Sequence, residues 1–354
     1  MGIAGQIRRP DFKPCRFSAT LVEKEAPMAF TWSLGVNEDV ITEYGQATLH
    51  EFLSDPQVVV DTSIRANQKM KALVGQDLIF PHPTSHAFLE SEALGATIHW
   101  PTDSWPAPKE PLIKGTEDIE KLSLIRDFMS RPNTAILRDM RRHLSMRCGA
   151  AAGGLHEGMV GNAHITTARA LRGDQIFIDL YERPQWCHRL FGLLVQNHIL
   201  CTQDLWKYQG IQQARFFHIA DDFAGMVSAD LFKEFVVPYW HQTLSVLGAG
   251  CETVMLHSEM MHPEHLPLLA DLPITVIDYG QDPFVTPQDA LATGFDTSWH
   301  FKDLELLIGT PESIRTLYGS YAESGLSSIK LALVHRRIPS DNILALLQVA
   351  REYE

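Results

Sequence analysis

The sequence predicts an α/β protein built as a (β/α)8 TIM-type barrel with an N-terminal helical or irregular extension. In the second half of the chain, a short apolar run followed by a helical pattern occurs five times in succession. This alternation is typical of parallel strands covered by helices. A chain of 354 residues is long enough to close such a sheet into a barrel. The alternative fold is an open doubly wound sheet, but neither a GxGxxG motif nor a P-loop supports it.

The chain is predicted to form one domain with an N-terminal addition. Residues 1–38 show no regular hydrophobic pattern and are expected to form an arm or cover. Residues 39–354 are expected to form the barrel domain. Early helical patterns lie at 39–75, 116–129 and 133–146, and early candidate strands at 77–82, 96–101 and 146–153. Asp55-Pro56 favours a helix start, because proline suits a first helical turn.

The later strands are short, and each ends in polar residues. They are predicted at 214–221, 251–259, 274–280, 296–301 and 327–336. The helices that follow them are predicted at 228–248, 262–272, 286–294, 310–324 and 340–354. Ser228 is the expected N-cap of the first of these helices, and Thr310-Pro311 begins the fourth.

Composition and charge exclude several classes of partner. The net charge is −13, from 43 acidic and 30 basic residues, which disfavours nucleic acid and anionic membranes as partners. No run of about 18 apolar residues occurs, so no membrane span is expected. The five cysteines are widely spaced without a CxxC motif, which favours a reduced, cytoplasmic setting. We expect a small-molecule substrate and, from the size of the barrel, a homodimer.

Catalytic residues of a parallel barrel lie at the carboxyl ends of its strands. The candidates for catalysis are His218, Asp221, Asp222 and His300. The candidates for substrate binding at the same ends are Tyr279, Trp299 and Arg336. Adjacent carboxylates such as Asp221 and Asp222 suit acid–base work or substrate orientation. The alternative is that one of the two caps the next helix or turn.

A metal site is a further possibility at the strand ends. His257 and Glu259 are two positions apart, so both side chains are expected on the same side of a strand. With His335 from the last strand they make two histidines and one carboxylate, a known catalytic zinc set. The alternative is that these groups are solvated or hydrogen-bonded, as at any polar barrel mouth.

A glycine-rich segment between 153 and 173 is a second candidate for substrate binding. It contains His156, Asn162 and His164, and its glycines allow the backbone to approach a ligand closely. The alternative is an ordinary surface loop. Cys251 begins a strand rather than ending one, so we expect it in the core.

Several segments resemble the uroporphyrinogen decarboxylase superfamily over residues 40–353. The similar segments are ESEALG at 90–95, GNAHITTARALRG at 161–173, IADDFAGMVSADLFKEFVVPYW at 219–240 and VMLHSE at 254–259. The segment from the Asp-Asp pair to Pro-Tyr is the most specific of them. The resemblance implies the barrel fold and an active site at its mouth.

Within that superfamily, the resemblance implies the methyltransferase branch rather than the haem-pathway enzyme. The Arg-Pro-x-Trp-x-Met-Arg-Gln-Ala-Gly-Arg motif of the haem-pathway decarboxylase does not occur in this chain. The branch holds zinc through His-x-Cys and a later Cys. His257 matches the first ligand, but Glu259 replaces the first Cys, and His335 or Arg336 lies where the second is expected.

Nitrogen and oxygen ligands leave zinc a stronger Lewis acid than thiolates do, which suits an oxygen leaving group. The resemblance therefore implies a zinc-dependent methyltransferase acting on a methyl ether type of substrate, with a corrinoid protein or a thiol as acceptor. The alternative is a decarboxylase or lyase acting on a small carboxylic acid, with Arg336 and Arg337 as cations near the carboxylate. A non-catalytic barrel fits least well, because so many ionisable groups lie at one mouth.

Overall fold

The computed structural model describes residues 30–84, 86–149, 161–335 and 337–353. Six strands form one parallel sheet in the order β1-β8-β7-β6-β5-β4. They are β1 (Thr31–Val36), β4 (Phe216–Ala220), β5 (Thr253–His257), β6 (Val276–Asp278), β7 (Asp296–His300) and β8 (Ser328–Leu333). A small antiparallel pair, β2 (Ile98–His99) and β3 (Ala107–Pro108), lies outside this sheet.

Fourteen α-helices occur in the described residues. The first seven are α1 (Glu38–Gly45), α2 (Leu49–Ser54), α3 (Pro56–Val74), α4 (Leu89–Ala93), α5 (Ala135–Cys148), α6 (His164–Arg172) and α7 (Gln175–Glu182). The others are α8 (Pro184–Gln209), α9 (Ala229–Phe235), α10 (Val237–Leu247), α11 (Pro287–Ala292), α12 (Asp303–Ile308), α13 (Pro311–Ala322) and α14 (Ser340–Glu352). The predicted alternation of strand and helix after residue 214 is therefore present, although only a 3-10 turn at Leu266–Leu269 follows β5.

The strands have one apolar face and one polar face, because successive side chains point to opposite sides of a sheet. The apolar face packs against helices and is fully buried at positions such as Phe217, Leu256 and Leu331. Trp206 of α8, for example, contacts Phe217 edge-on at a ring distance of 6.1 Å. The opposite, inner face carries the polar side chains, so the fold itself gathers them on one surface.

Strand β1 lies within the segment predicted to be an arm. Its sequence, TWSLGV, alternates between exposed and half-buried positions, and it pairs in parallel with β8. Trp32, Leu34 and Val36 alternate with smaller residues, which is a strand signal, so residues 31–36 form a sheet strand rather than the expected irregular arm. Its inner face carries only the small or hydroxyl residues Thr31, Ser33 and Gly35.

Three early elements also differ from the prediction. No strand forms at 77–82. Residues 116–129 contain 3-10 turns instead of an α-helix, the first at Thr116–Lys121. The segment 146–153 was expected to be a strand, but its first residues end α5, and 150–153 lie outside the described residues. Within the described ranges, no helix is long and apolar enough to cross a membrane.

Candidate active site

Five strands contribute polar side chains to one patch on the inner face of the sheet. The residues are His218 (β4), His257 (β5), Asp278 (β6), Ser298 and His300 (β7) and Lys330 (β8). The parallel register places His257 opposite Asp278, Asp278 opposite Ser298, and His300 opposite Lys330. Residues in register on neighbouring strands point the same way, so these groups face a common space.

Asp278 is the centre of this patch. Its Oδ1 lies 3.1 Å from His257 Nδ1 and 2.9 Å from His300 Nε2. Its Oδ2 accepts a hydrogen bond from Ser298 Oγ at 2.9 Å and lies 3.6 Å from Lys330 Nζ. Burial opposes ionisation, but His257 and His300 outweigh it and hold the pKa of this carboxyl well below its usual range. Asp278 is therefore a buried carboxylate shared by several basic groups.

His257 lies between two carboxylates. Its Nε2 is 3.3 Å from Asp222 Oδ1, on the side away from Asp278. Burial lowers the pKa of an imidazole, but the interactions with Asp222 and Asp278 prevail and raise the pKa of His257 to about 10. At neutral pH this side chain is an imidazolium ion, so both of its ring nitrogens carry protons.

His218 has the opposite character, although it is next to His257. Their ring centroids are 6.3 Å apart in an edge-on arrangement. Burial and the positive charge of His257 lower the pKa of His218 to about 4, so it is neutral at pH 7. Neighbouring groups with pKa values driven apart in this way are typical of acid–base sites.

Two polar atoms at the patch have hydrogen-bonding capacity to spare. Asp222 Oδ1 and His300 Nε2 are buried, and neither is aligned with a hydrogen-bond partner among the described residues. Each lies within ion-pair distance of one neighbour, His257 and Asp278 respectively. Buried polar atoms normally have partners, so these two atoms are suited to contact a bound molecule.

Comparison with known proteins identifies the family. The family model described as Uroporphyrinogen decarboxylase (URO-D) matches residues 41–325. The chain belongs to the URO-D family. Among solved structures, a methyltransferase from Methanosarcina mazei is similar with a TM-score of 0.69 and 16% identity, over 94% of this chain and 95% of that one. At that identity the likeness shows the fold alone, and it confirms the predicted barrel class. No curated protein matches significantly.

In this URO-D-family chain, Asp221 is a structural residue rather than part of the polar patch. Helix α6 begins after Ala163, which has no side-chain oxygen to cap it. Asp221 supplies that cap: its Oδ1 accepts from the backbone N–H and the hydroxyl of Thr166, at 2.8 and 2.7 Å. Its Oδ2 accepts from Trp240 Nε1 at 3.0 Å. Asp221 therefore caps a helix, but it is the earlier helix α6 rather than the next one, whereas Asp222 faces the site.

The three predicted zinc ligands are not brought together. Strand β5 ends at His257, so the chain turns and Glu259 Oε1 instead accepts from the backbone N–H of Gln281 at 2.9 Å. His335 is exposed, and its Nδ1 accepts from Arg337 N at 3.1 Å. In the part of the chain that is described, no group of three or more His, Cys, Asp and Glu side chains could hold a metal ion. With both nitrogens of His257 facing carboxylates, these residues do not fit a His-Glu-His zinc site.

Most of the predicted substrate-binding residues lie away from the patch. Tyr279 and Trp299 are on the helix-facing side of the sheet, and Trp299 packs against Tyr321 of α13 at a ring distance of 5.9 Å. His164 is buried, with Nε2 2.7 Å from the carbonyl of Phe235. Asn162 is also buried and donates to the carbonyl of Ala87 at 3.5 Å. His156 and Arg336 lie outside the described residues.

Asp278 was expected among the polar strand ends but was given no role, and Ser298 and Lys330 were not predicted as site residues. The signal for Lys330 was a charged residue inside the otherwise apolar run SIKLAL. For Asp278 and Ser298, the signal is that they lie on the same face of the sheet as His257 and His300. This signal depends on the register between neighbouring strands, which cannot be determined from the sequence alone.

Proposed function

We propose that this URO-D-family protein is a methyltransferase that removes the methyl group from a small methyl ether and passes it to a corrinoid protein or a thiol. The observation that carries the proposal is the imidazolium of His257, held between Asp222 and Asp278. Support also comes from the family and from the similar fold of the Methanosarcina mazei methyltransferase.

Demethylation of an ether needs an acid at the departing oxygen. A nucleophile on the acceptor attacks the methyl carbon, and the carbon–oxygen bond breaks with its electron pair going to oxygen. His257 donates to that oxygen its Nε2 proton, which lies near Asp222 but is not aligned with it, so the products are an alcohol, the methylated acceptor and a neutral imidazole that keeps its Nδ1 proton on Asp278. Water then reprotonates His257. A pKa of about 10 is close to that of a phenol, so proton transfer to an aryl oxygen costs little.

The neighbouring residues of the patch have supporting roles. Asp222 and Asp278 stabilise the imidazolium and fix its ring. Asp222 Oδ1, which has a lone pair to spare, orients the substrate, whereas His300 Nε2 contacts Asp278 and holds that carboxylate in place. His218, neutral beside the cation, offers a ring nitrogen that can accept a hydrogen bond from a substrate hydroxyl or water.

The experiment is a demethylation assay on the purified protein. A panel of aryl and alkyl methyl ethers is incubated with cob(I)alamin or a thiol, and both the free alcohol and the methylated acceptor are quantified. We expect His257→Gln to lower the rate by about 10²- to 10⁴-fold, the range for loss of a general acid. His241→Gln, an exposed histidine on α10, is the matched control and should retain the wild-type rate. Undiminished activity of His257→Gln, or no methyl transfer with any ether, would contradict the proposal.

A second candidate, decarboxylation of a small acid, is favoured by the two cationic side chains His257 and Lys330 beside Asp278. Arg337, which the sequence suggested as a cation for decarboxylation, is less suited to that role, because it is exposed beyond the end of β8. The same assay separates the two reactions. Release of CO2 without any methyl acceptor would establish the decarboxylase, whereas an absolute requirement for an acceptor would establish the transferase.

A further inference from the structure

A lysine is an unusual residue on the inner face of a barrel strand. Lys330 lies in the middle of β8, where its neighbours Ile329 and Leu331 are buried against the helices. Its own side chain points to the opposite face and remains 45% exposed. Because a lysine is strongly hydrated, placing it on an inner wall is unfavourable unless its charge meets a partner.

Asp278 satisfies Lys330 only in part. The 3.6 Å separation between Lys330 Nζ and Asp278 Oδ2 is longer than a hydrogen bond. The same carboxylate already accepts from Ser298 Oγ and from the backbone N–H of Gly280, both at 2.9 Å, and contacts His257. An ammonium group has three N–H donors. Most of the donor capacity of Lys330 is therefore available to a ligand.

The wall beside Lys330 is made of small residues. Ser33 on β1 is directly opposite Lys330 in the register, and Gly35 follows it on the same face. A methyl group added to Gly35 would meet no described atom within 4 Å. The inner surfaces of β1 and β8 thus border open space, and the Ser33 hydroxyl adds a second donor next to the ammonium group.

We infer that Lys330 and Ser33 bind a carboxylate group of the substrate. The inference rests on the proposed function and narrows its substrates to small methoxy acids. Lys330 and His257 approach different oxygens of Asp278. A carboxylate bound at Lys330 therefore leaves the rest of a small ligand next to His300 and His257, where the ether oxygen receives its proton. The donors on the described strands are one ammonium and one hydroxyl beside the Asp278 carboxylate, which suits a singly charged carboxylate better than a phosphate ester with a charge of about −2.

The test compares charged and uncharged probes by calorimetry. The probes are 4-methoxybenzoate and methoxyacetate, each with its methyl ester. We expect wild-type protein to bind at least one acid about tenfold or more tightly than its ester, since an ion pair shielded from solvent contributes more than an exposed one. Lys330→Met should abolish this preference, and Lys330→Arg should retain most of it. Lys114→Met removes the same charge at an exposed site and should bind like wild type.

The outcomes separate this inference from the proposed function. Equal binding of acids and esters, no binding of either acid, or wild-type binding by Lys330→Met would overturn the carboxylate site. If carboxylate binding depends on Lys330 but no methyl group is transferred, the proposed function fails and the site stands. If esters are demethylated as well as acids, the function stands and the site fails. Circular dichroism melting of Lys330→Met shows that the variant is folded.

Discussion

Replacing Asp278 by Asn tests whether the two carboxylates create the imidazolium of His257. The pKa of His257 rises from an ordinary 6.5 to about 10. At 1.36 kcal/mol for each pKa unit, this corresponds to at most about 5 kcal/mol of preference for the charged form. Asp222 and Asp278 lie at similar distances, 3.3 and 3.1 Å. Because the burial penalty stays when one of them is removed, the variant should lose more than half of that net preference, and the pKa of His257 should fall below about 8.

The sign of the effect on stability follows from linkage. A raised pKa stabilises the fold fully below the unfolded value of 6.5, and the stabilisation is lost as pH rises through about 10. Wild-type protein should therefore lose free energy of unfolding between pH 6.5 and 10. In Asp278→Asn that loss should be smaller and complete at lower pH.

The measurement is an NMR titration of protein labelled in its histidine rings, with His257→Gln used to assign the resonance. Urea unfolding at a series of pH values gives the matching free energies. Asp296→Asn removes an exposed carboxylate at the other end of β7 and serves as the control. A wild-type midpoint near 6.5, or the same midpoint in wild type and Asp278→Asn, would refute the reasoning.

Four further predictions concern individual residues and metal removal. Asp221→Ala should destabilise the protein by about 3 kcal/mol in urea unfolding because it uncaps α6 and leaves Trp240 Nε1 without a partner. Near pH 7, Asp222→Ala should destabilise it by about 2 kcal/mol, because the pKa of His257 falls, and should also slow methyl transfer. Gly280→Ala should lower the free energy of unfolding by about 1–3 kcal/mol, because φ is +53° and the added Cβ would clash with Glu259 Oε1. Gly294→Ala should lower it by less, because φ there is +76° but no described atom lies within 4 Å of the added Cβ. The buried Cys201 thiol, whose pKa is raised by burial, should resist thiol reagents until the protein unfolds, and rapid labelling would contradict its burial. Dialysis against a chelator should leave the methyl-transfer rate unchanged, and a loss of rate that zinc restores would contradict the imidazolium mechanism.

The strands that carry the site could be predicted from the sequence because each is a short apolar run between turn signals and a helix. Strand β1 was not placed in the sheet, because its alternating TWSLGV pattern does not identify a pairing partner, and its partner β8 lies almost the whole chain away. The polar ends of the strands were also predictable, and with them His218, His257 and His300. Whether those side chains face the site depends on local geometry that periodicity alone does not determine.

Tyr279 and Glu259 do not face the site, although both lie at the carboxyl ends of strands. Tyr279 follows Asp278 directly, so one of the two must face the helices, and the register with His257 decides in favour of Asp278. Glu259 would share a side with His257 only if β5 continued for two more residues. Instead the strand ends at His257, and Met260 adopts a left-handed conformation with φ 59°. The change of direction carries Glu259 to Gln281 and removes it from the predicted metal site.

The identity of the acid determines which bonds the site can break. The methyltransferase branch that the sequence resembles activates its substrate with a thiolate-bound metal, but the corresponding position here is an imidazolium with a pKa of about 10. Such an acid gives up its proton readily only to a base of similar or greater strength. A departing phenolate, with a conjugate acid pKa of about 10, or an alkoxide meets that condition, whereas a thiolate at about 8.5 does not. If the proposed function holds, the bracketing of His257 by Asp222 and Asp278 favours oxygen over sulfur as the leaving atom, and the rate should fall as pH rises through the pKa of His257.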